Sequence, residues 1–180
     1  MEMNANPKIY VETDRLILRE ILEDDFLAFY ELDSDPEVHR YLGNNPVQSI
    51  DQSIEMIKLI RQQYEKNGIG RWAIIDKKTK DFIGWTGIKY EQNLRKDINY
   101  YDLGYRLKRK YWGQGIATET AIESLKYGFT KLELKEICAA AHVEHIVSNN
   151  ILQKVGLKFI ETFEYEGDKC NWYKIEKANW

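Results

Sequence analysis

The chain has 180 residues, enough for one domain with a sizeable core, and this length excludes long repeat arrays and multidomain machines. With 26 Lys+Arg against 29 Asp+Glu the formal charge is −3 and the pI about 5.7, which describes an ordinary soluble globule and provides no overall positive field for a nucleic-acid backbone. Cys138 and Cys170 are read as reduced, no apolar run approaches the ~20 residues of a membrane span, and the polar start MEMNANPK lacks a signal-peptide core, so the cytoplasm is expected.

In chain order, residues 14–20 (DRLILRE) alternate over a short apolar run and predict a strand. Residues 23–32 begin acidic and place Phe26, Phe29 and Tyr30 at helical spacing. Asp35 before Pro36 is a helix start and Gly43 a stop, which predicts a short helix over 37–42. Ser49 with Gln52 fits a capping box, and Ile50, Ile54, Ile57, Ile60 and Tyr64 then form an amphipathic helix that ends at Asn67-Gly68. The period then changes. Residues 71–76, 82–90 and 98–107 read as strands of an antiparallel meander. From Gly115 onward Thr118, Ile122, Leu125, Phe129 and Leu132 form a helical stripe. Residues 137–141 predict a buried strand, 148–155 a short helix stopped by Gly156, and 157–165 with 171–175 a closing hairpin. This order supports a mixed sheet carrying helices, an α+β or three-layer α/β architecture.

The segment that carries chemistry is Leu107–Thr120, LKRKYWGQGIATET. A predicted strand ends, a turn with Gly113 and Gly115 follows, and a helix starts at once. Glycines let backbone N–H groups approach a ligand, and a helix N-terminus adds unpaired donors and a positive dipole end. Thr118 could add a hydroxyl. The spacing itself is weak, because Gly68-Ile69-Gly70 repeats it at a helix C-terminus, where glycine is expected for backbone reasons. On physics alone the segment is an anion-binding turn or merely a tight connection. A nucleoside-triphosphate loop is excluded, since no Gly-Lys-Ser/Thr follows.

Trp112, Gly113, Gln114, Gly115, Ile116 and Ala117, opening a helix late in the chain after a meander, resemble the Gln/Arg-x-x-Gly-x-Gly/Ala pattern of the GNAT superfamily of acetyl-CoA-dependent N-acetyltransferases. The resemblance extends over TDRLILRE (13–20), DPEVHRYLG (35–43), FIGWTGI (82–88), DLGYRLKRKYWGQGIATETA (102–121) and NNILQKVGLKF (149–159), and points to the ribosomal-protein-alanine, or Rim-type, branch. Trp112 stands where the pattern has Gln or Arg, His145 where Rim-type sequences usually have Asn, and Leu157 where they have Phe.

The resemblance implies a single acyltransferase domain over 1–180, with a mixed, mostly antiparallel sheet flanked by helices and no metal. It also implies direct attack of a neutral amine, on a protein N-terminus or a small molecule, at the thioester of acetyl-CoA. The backbone of Tyr105, Arg106 and Leu107, the turn 112–118 and His145 would hold the cofactor. Asp102 is the candidate base, against a solvated strand carboxylate. Ser148 is the candidate acid for the leaving thiolate, against a simple helix cap. Neither nucleic acid nor membrane is an expected partner, and both a monomer and a homodimer are compatible with the resemblance. A non-catalytic acyl-CoA-binding module on the same scaffold, and transfer of a longer acyl group, are the rival readings. His142 and His145 flank Glu144 without further ligands at a sensible spacing, so zinc is not expected. Lys108-Arg109-Lys110 is either a solvated face or an attractor for the cofactor's phosphates, and Tyr41, Trp85, Tyr90 and Tyr101 are candidates for an acceptor pocket.

Overall fold

The computed structural model describes residues 7–180. Its strands are β1 (Ile9–Glu12), β2 (Leu16–Glu20), β3 (Trp72–Asp76), β4 (Phe82–Glu91), β5 (Tyr100–Leu107), β6 (Glu136–His142), β7 (Lys158–Tyr165) and β8 (Asp168–Glu176). Its helices are α1 (Phe26–Asp33), α2 (Pro36–His39), α3 (Ile50–Asn67), α4 (Ile116–Thr130) and α5 (Ile146–Lys154). The strands form one sheet in the order β1-β2-β3-β4-β5-β6-β8-β7. Only β5 and β6 run parallel; every other neighbouring pair is antiparallel.

Alternation along the strands sorts the core into two layers. Trp72 and Ile74 of β3 point into the larger cluster, where α4 contributes Ile116, Ala121, Leu125 and Phe129 and α5 contributes Leu152. Ala73 and Ile75 point the other way, against Phe29 and Leu32 of α1 and Ile57 and Ile60 of α3. Helices therefore cover both faces. On the α1–α3 side, over β5, β6 and β8, the buried apolar residues form a small third cluster of Tyr100, Cys138 and Trp172.

The predicted elements are present with shifted ends. Asp35 caps α2 by accepting the Glu37 N–H at 3.0 Å, but the helix stops at His39 rather than Leu42. Strand β1 escapes the sequence pattern because IYVE is too short to show alternation, and it exists by pairing with β2. Helix α5 starts two residues earlier than expected, so its cap is His145 and Ser148 lies within its first turn. Both cysteines are free thiols.

The feature that positions the site is the β5–β6 junction. These strands share a single bridge, Asp102 opposite Cys138, and beyond it the Tyr105–Leu107 end of β5 has no strand partner on that side among the described residues. Parallel neighbours that part leave a backbone edge with unused donors and acceptors. Arg71, just before β3, braces the base of this wedge. Its Nη1 donates to the Asp102 carbonyl at 2.7 Å and to the Gly87 carbonyl, and its Nη2 donates to the Asp102 carboxylate. Gly104 makes room for it, since a Cβ there would stand 2.6 Å from Arg71 Nη2.

Candidate active site

At one end of the wedge lies the turn before α4. Gly113 (φ +73°) and Gly115 (φ +75°) are both left-handed, a conformation costly for any residue with a Cβ. Among the described residues no side chain caps α4, so the N–H groups of its first turn face outward without a side-chain acceptor there. An open groove bounded by Gly115, Thr118, Glu119, Ile122, Glu123 and Lys154 continues from the turn between α4 and α5. These residues suit an anion with an extended tail: bare amides for a pyrophosphate, and a partly apolar wall. Trp112 is half-exposed, and its indole N–H donates to the Leu107 carbonyl at 2.8 Å. That carbonyl is therefore already taken, and the Arg106 backbone, opposite Trp85, faces β4 rather than the wedge, which leaves Tyr105 as the freer part of the β5 edge.

The basic run beside the turn is mostly spent. Lys108 Nζ lies 2.5 Å from Glu31 Oε2 and Arg109 Nε 3.1 Å from Asp35 Oδ2, because the end of α1 packs against this segment. Of the three, only Lys110 has no carboxylate partner among the described residues, and its ammonium sits over the Tyr111 ring.

Deeper in the wedge, Tyr105 of β5 faces Ser148 of α5. The tyrosine hydroxyl lies 3.1 Å from Ser148 Oγ and 3.2 Å from the Ser148 carbonyl. Burial pushes the Tyr105 phenol up, so it stays protonated and remains a donor. His145 holds the end of α5: its Nδ1 accepts the Ser148 N–H at 3.4 Å, so in the neutral ring Nε2 carries the proton. Burial, assisted by His142, lowers the pKa of His145. A lowered folded pKa means that the cap's stability is complete above the ordinary value of about 6.5 and is lost as pH falls through the folded value. The protection of the Ser148 amide against exchange, relative to an unstructured amide at the same pH, is expected to fall on acidification in that window, whereas His145→Asn, which caps without titrating there, is expected to abolish that fall in protection.

Asn149 locks the same helix end. Its Nδ2 donates to the carbonyls of His142 (2.9 Å) and His145 (2.8 Å), while its Oδ1 accepts from Asn171 and Tyr173. Nothing in the spacing signals this fully satisfied buried amide.

The opposite sheet face presents the half-buried Trp85, Gly104, Arg106 and Ala140. Tyr41 reaches it from beyond α2 and stacks on His145 at 4.6 Å between centroids, with His142 at 5.6 Å. Trp85 lies between two guanidinium groups, Arg71 at 5.2 Å and Arg106 at 5.0 Å. Arg106 in turn binds Asp33 at 2.7 Å. Burial raises the pKa of Asp33, but His39 and Arg106 outweigh it and hold the carboxyl below its usual range. Of the aromatic pocket candidates, Tyr41 and Trp85 share this face; Tyr101 packs into the larger core on the other side, beside Tyr90.

Asp102 stands at the base of the wedge, almost fully buried, and one carboxylate oxygen is engaged by Arg71. It is no solvated strand carboxylate. Burial raises its proton affinity against the opposing pull of Arg71. Arg71, Arg106 and Asn149 are the polar residues of the site that periodicity does not reveal, because their partners lie far away in the chain.

Comparison with known proteins agrees with this geometry. The sequence model of the Acetyltransferase (GNAT) domain family matches residues 15–158. The chain is 37% identical over 149 residues to the uncharacterized N-acetyltransferase YoaA of Bacillus subtilis, covering 82% of each protein. Its fold is similar to that of a GNAT-family acetyltransferase from Bacillus anthracis (TM-score 0.76, 23% identity, 93% and 98% of the two chains covered). It is also similar to spermidine N-acetyltransferase from Vibrio cholerae, solved with CoA and spermine (TM-score 0.74, 19% identity, 93% and 98% covered). An eight-stranded mixed sheet flanked by helices, parted at β5 and β6 and followed by the double-glycine helix start, is the GNAT acyltransferase fold, and the chain belongs to the GNAT acetyltransferase family.

Proposed function

We propose that this protein transfers an acetyl group from acetyl-CoA to a primary amine by direct attack, in the cytoplasm. The observation that carries the reading is the Tyr105–Ser148 hydroxyl pair inside the β5–β6 wedge, with bare helix amides at the wedge's far end. The amides of 113–118 would take the pyrophosphate, and the β5 edge at Tyr105, with His145, the pantetheine arm. The V. cholerae enzyme's complex with CoA supports the cofactor class.

As the amine nitrogen bonds to the acyl carbon, the C–S bond breaks and two protons must move. The amine's proton goes to Asp102, whose second carboxylate oxygen makes no hydrogen bond among the described residues. The departing thiolate takes the proton of Ser148 Oγ, which Tyr105 orients; the serine regains a proton from water and Asp102 gives its own up to water, so that one neutral amine and one thioester become one amide and one thiol. The acceptor is a primary amine that enters over Trp85 and Tyr41. The Rim-type branch, resting on the motifs at 35–43 and 102–121, favours a protein N-terminus, and a small amine is the other form.

Isothermal titration with acetyl-CoA, followed by turnover on a panel of N-terminal peptides, polyamines and amino acids, tests the reading. Binding without turnover on any amine would reduce the protein to an acyl-CoA-binding module, and no binding would end the proposal. Gly115→Trp is expected to weaken acetyl-CoA at least about tenfold, because a side chain at φ +75° strains the turn by about 1–2 kcal/mol and occupies the anion position. A Cβ at this position meets only Arg15, at 3.8 Å, so the fold should survive. Unchanged affinity would place the cofactor elsewhere.

A further inference from the structure

Arg15, in the turn between β1 and β2, crosses to the double-glycine segment nearly a hundred residues later in the chain. Its Nη2 donates to the Gln114 carbonyl at 2.9 Å and its Nε to Glu119 Oε2 at 2.8 Å. Both partners belong to the proposed pyrophosphate end, so a role for Arg15 in cofactor binding rests on that reading. Gln114 lies between the two left-handed glycines, and its side chain is turned back to the Lys110 carbonyl at 3.0 Å. Glu119 is in the first turn of α4 and lines the groove beside Gly115 and Thr118.

The bridge acts on the turn in two ways. In a planar trans peptide the C=O and the next N–H point in opposite directions, so holding the Gln114 oxygen fixes the direction of the Gly115 N–H. An acidic side chain in a first turn stabilises its helix, but the same dipole end is where a pyrophosphate would sit, and an uncompensated carboxylate there repels it. We propose that Arg15 is a positioning residue for the cofactor: it orients the Gln114–Gly115 peptide and neutralises Glu119, so that a segment carrying its own carboxylate accepts a polyanion.

The test is titration of coenzyme A into the wild type, Arg15→Met, Glu119→Gln and the double variant at low and high salt, with kcat measured at saturating acetyl-CoA. Arg15→Met is expected to weaken coenzyme A about tenfold at low salt and less at high salt, with kcat at saturation unchanged. Glu119→Gln is expected to do the reverse, tightening binding about threefold, because Arg15 then stands uncompensated beside the phosphates. The double variant should fall between the two. The Arg15 side chain is 47% exposed, and such pairs add little to stability, so the melting temperature of Arg15→Met should stay near that of the wild type. Wild-type affinity in Arg15→Met, or weaker binding in Glu119→Gln as a merely helix-stabilising carboxylate would give, overturns the proposal. A wild type that binds no coenzyme A instead sinks the underlying reading of the groove.

Discussion

Ser148→Ala is expected to lower kcat by about 10²–10³ while leaving the KM for acetyl-CoA nearly unchanged, since a proton donated to sulfur matters only as negative charge develops there. The structure removes the usual objection to such a variant. Ser148 is not the cap of α5; His145 is, and what it binds is the Ser148 backbone N–H, which alanine keeps. Alanine is also the better helix former, so the loss cannot be ascribed to unravelling of the helix. Tyr105→Phe retains the packing and deletes only the hydroxyl 3.1 Å from Ser148 Oγ, so a smaller loss, about tenfold, is expected. The double variant should be little worse than Ser148→Ala alone, because the two hydroxyls act as a unit. Steady-state kinetics on any accepted amine measures all three. A Ser148→Ala enzyme with wild-type kcat would leave Ser148 as no more than a hydrogen-bond partner of Tyr105.

Arg71→Met is expected to destabilise the protein by about 3–5 kcal/mol at neutral pH, as seen when one member of a buried ion pair is removed. Methionine fills the volume but strips the Asp102 carboxylate and the Gly87 and Asp102 carbonyls of their donors. Arg71→Lys should recover little, because one ammonium cannot reproduce the forked geometry that serves all three oxygens. With the guanidinium gone, burial and Glu91 act on Asp102 against Lys89 only, and its folded pKa rises further above the unfolded one. A raised carboxyl pKa favours the fold at low pH and that advantage is lost as pH rises through the folded value, so the deficit should be smallest within the ordinary carboxylate range and grow from there toward neutral pH. Urea denaturation across that range measures this, and a deficit under about 1 kcal/mol would show that the pair is not the buried brace described. Asp102→Asn separates support from catalysis. As a lost base it should cost most at low pH and be partly rescued toward the amine's own pKa; a loss flat with pH would make Asp102 a positioning group and water the proton acceptor.

Much of the architecture is legible without coordinates, because it rests on local rules. The Ser49–Gln52 capping box, the left-handed Gly68 that ends α3, the meander of β3 to β5 and the double-glycine start of α4 follow from short-range periodicity and backbone preference. So does the candidate cofactor turn, whose glycines are needed for their dihedral angles rather than for space. The same rules fail where an element borrows its stability. The four residues of β1 carry no pattern and exist by pairing with β2, and α5 begins two residues early because a histidine, no common cap, accepts its amide.

The chemistry of the site divides in the same way. The order of elements marks the chain as a mixed-sheet α/β protein, and the resemblance of its motifs to the GNAT pattern singles out Ser148, Asp102 and the turn at 112–118. What each of these does is decided by side chains distant in sequence. Arg71 converts an apparently solvated Asp102 into a buried, paired group; Glu31 and Asp35 neutralise two members of the basic run; Tyr105 meets Ser148; and Arg15 closes on Glu119. Periodicity reports which face a residue occupies, but the protonation and donor state of a polar group depends on the charge and burial within a few ångströms of it. Those neighbours are set by how the sheet brings separated segments together, which is why only the tertiary structure decides them.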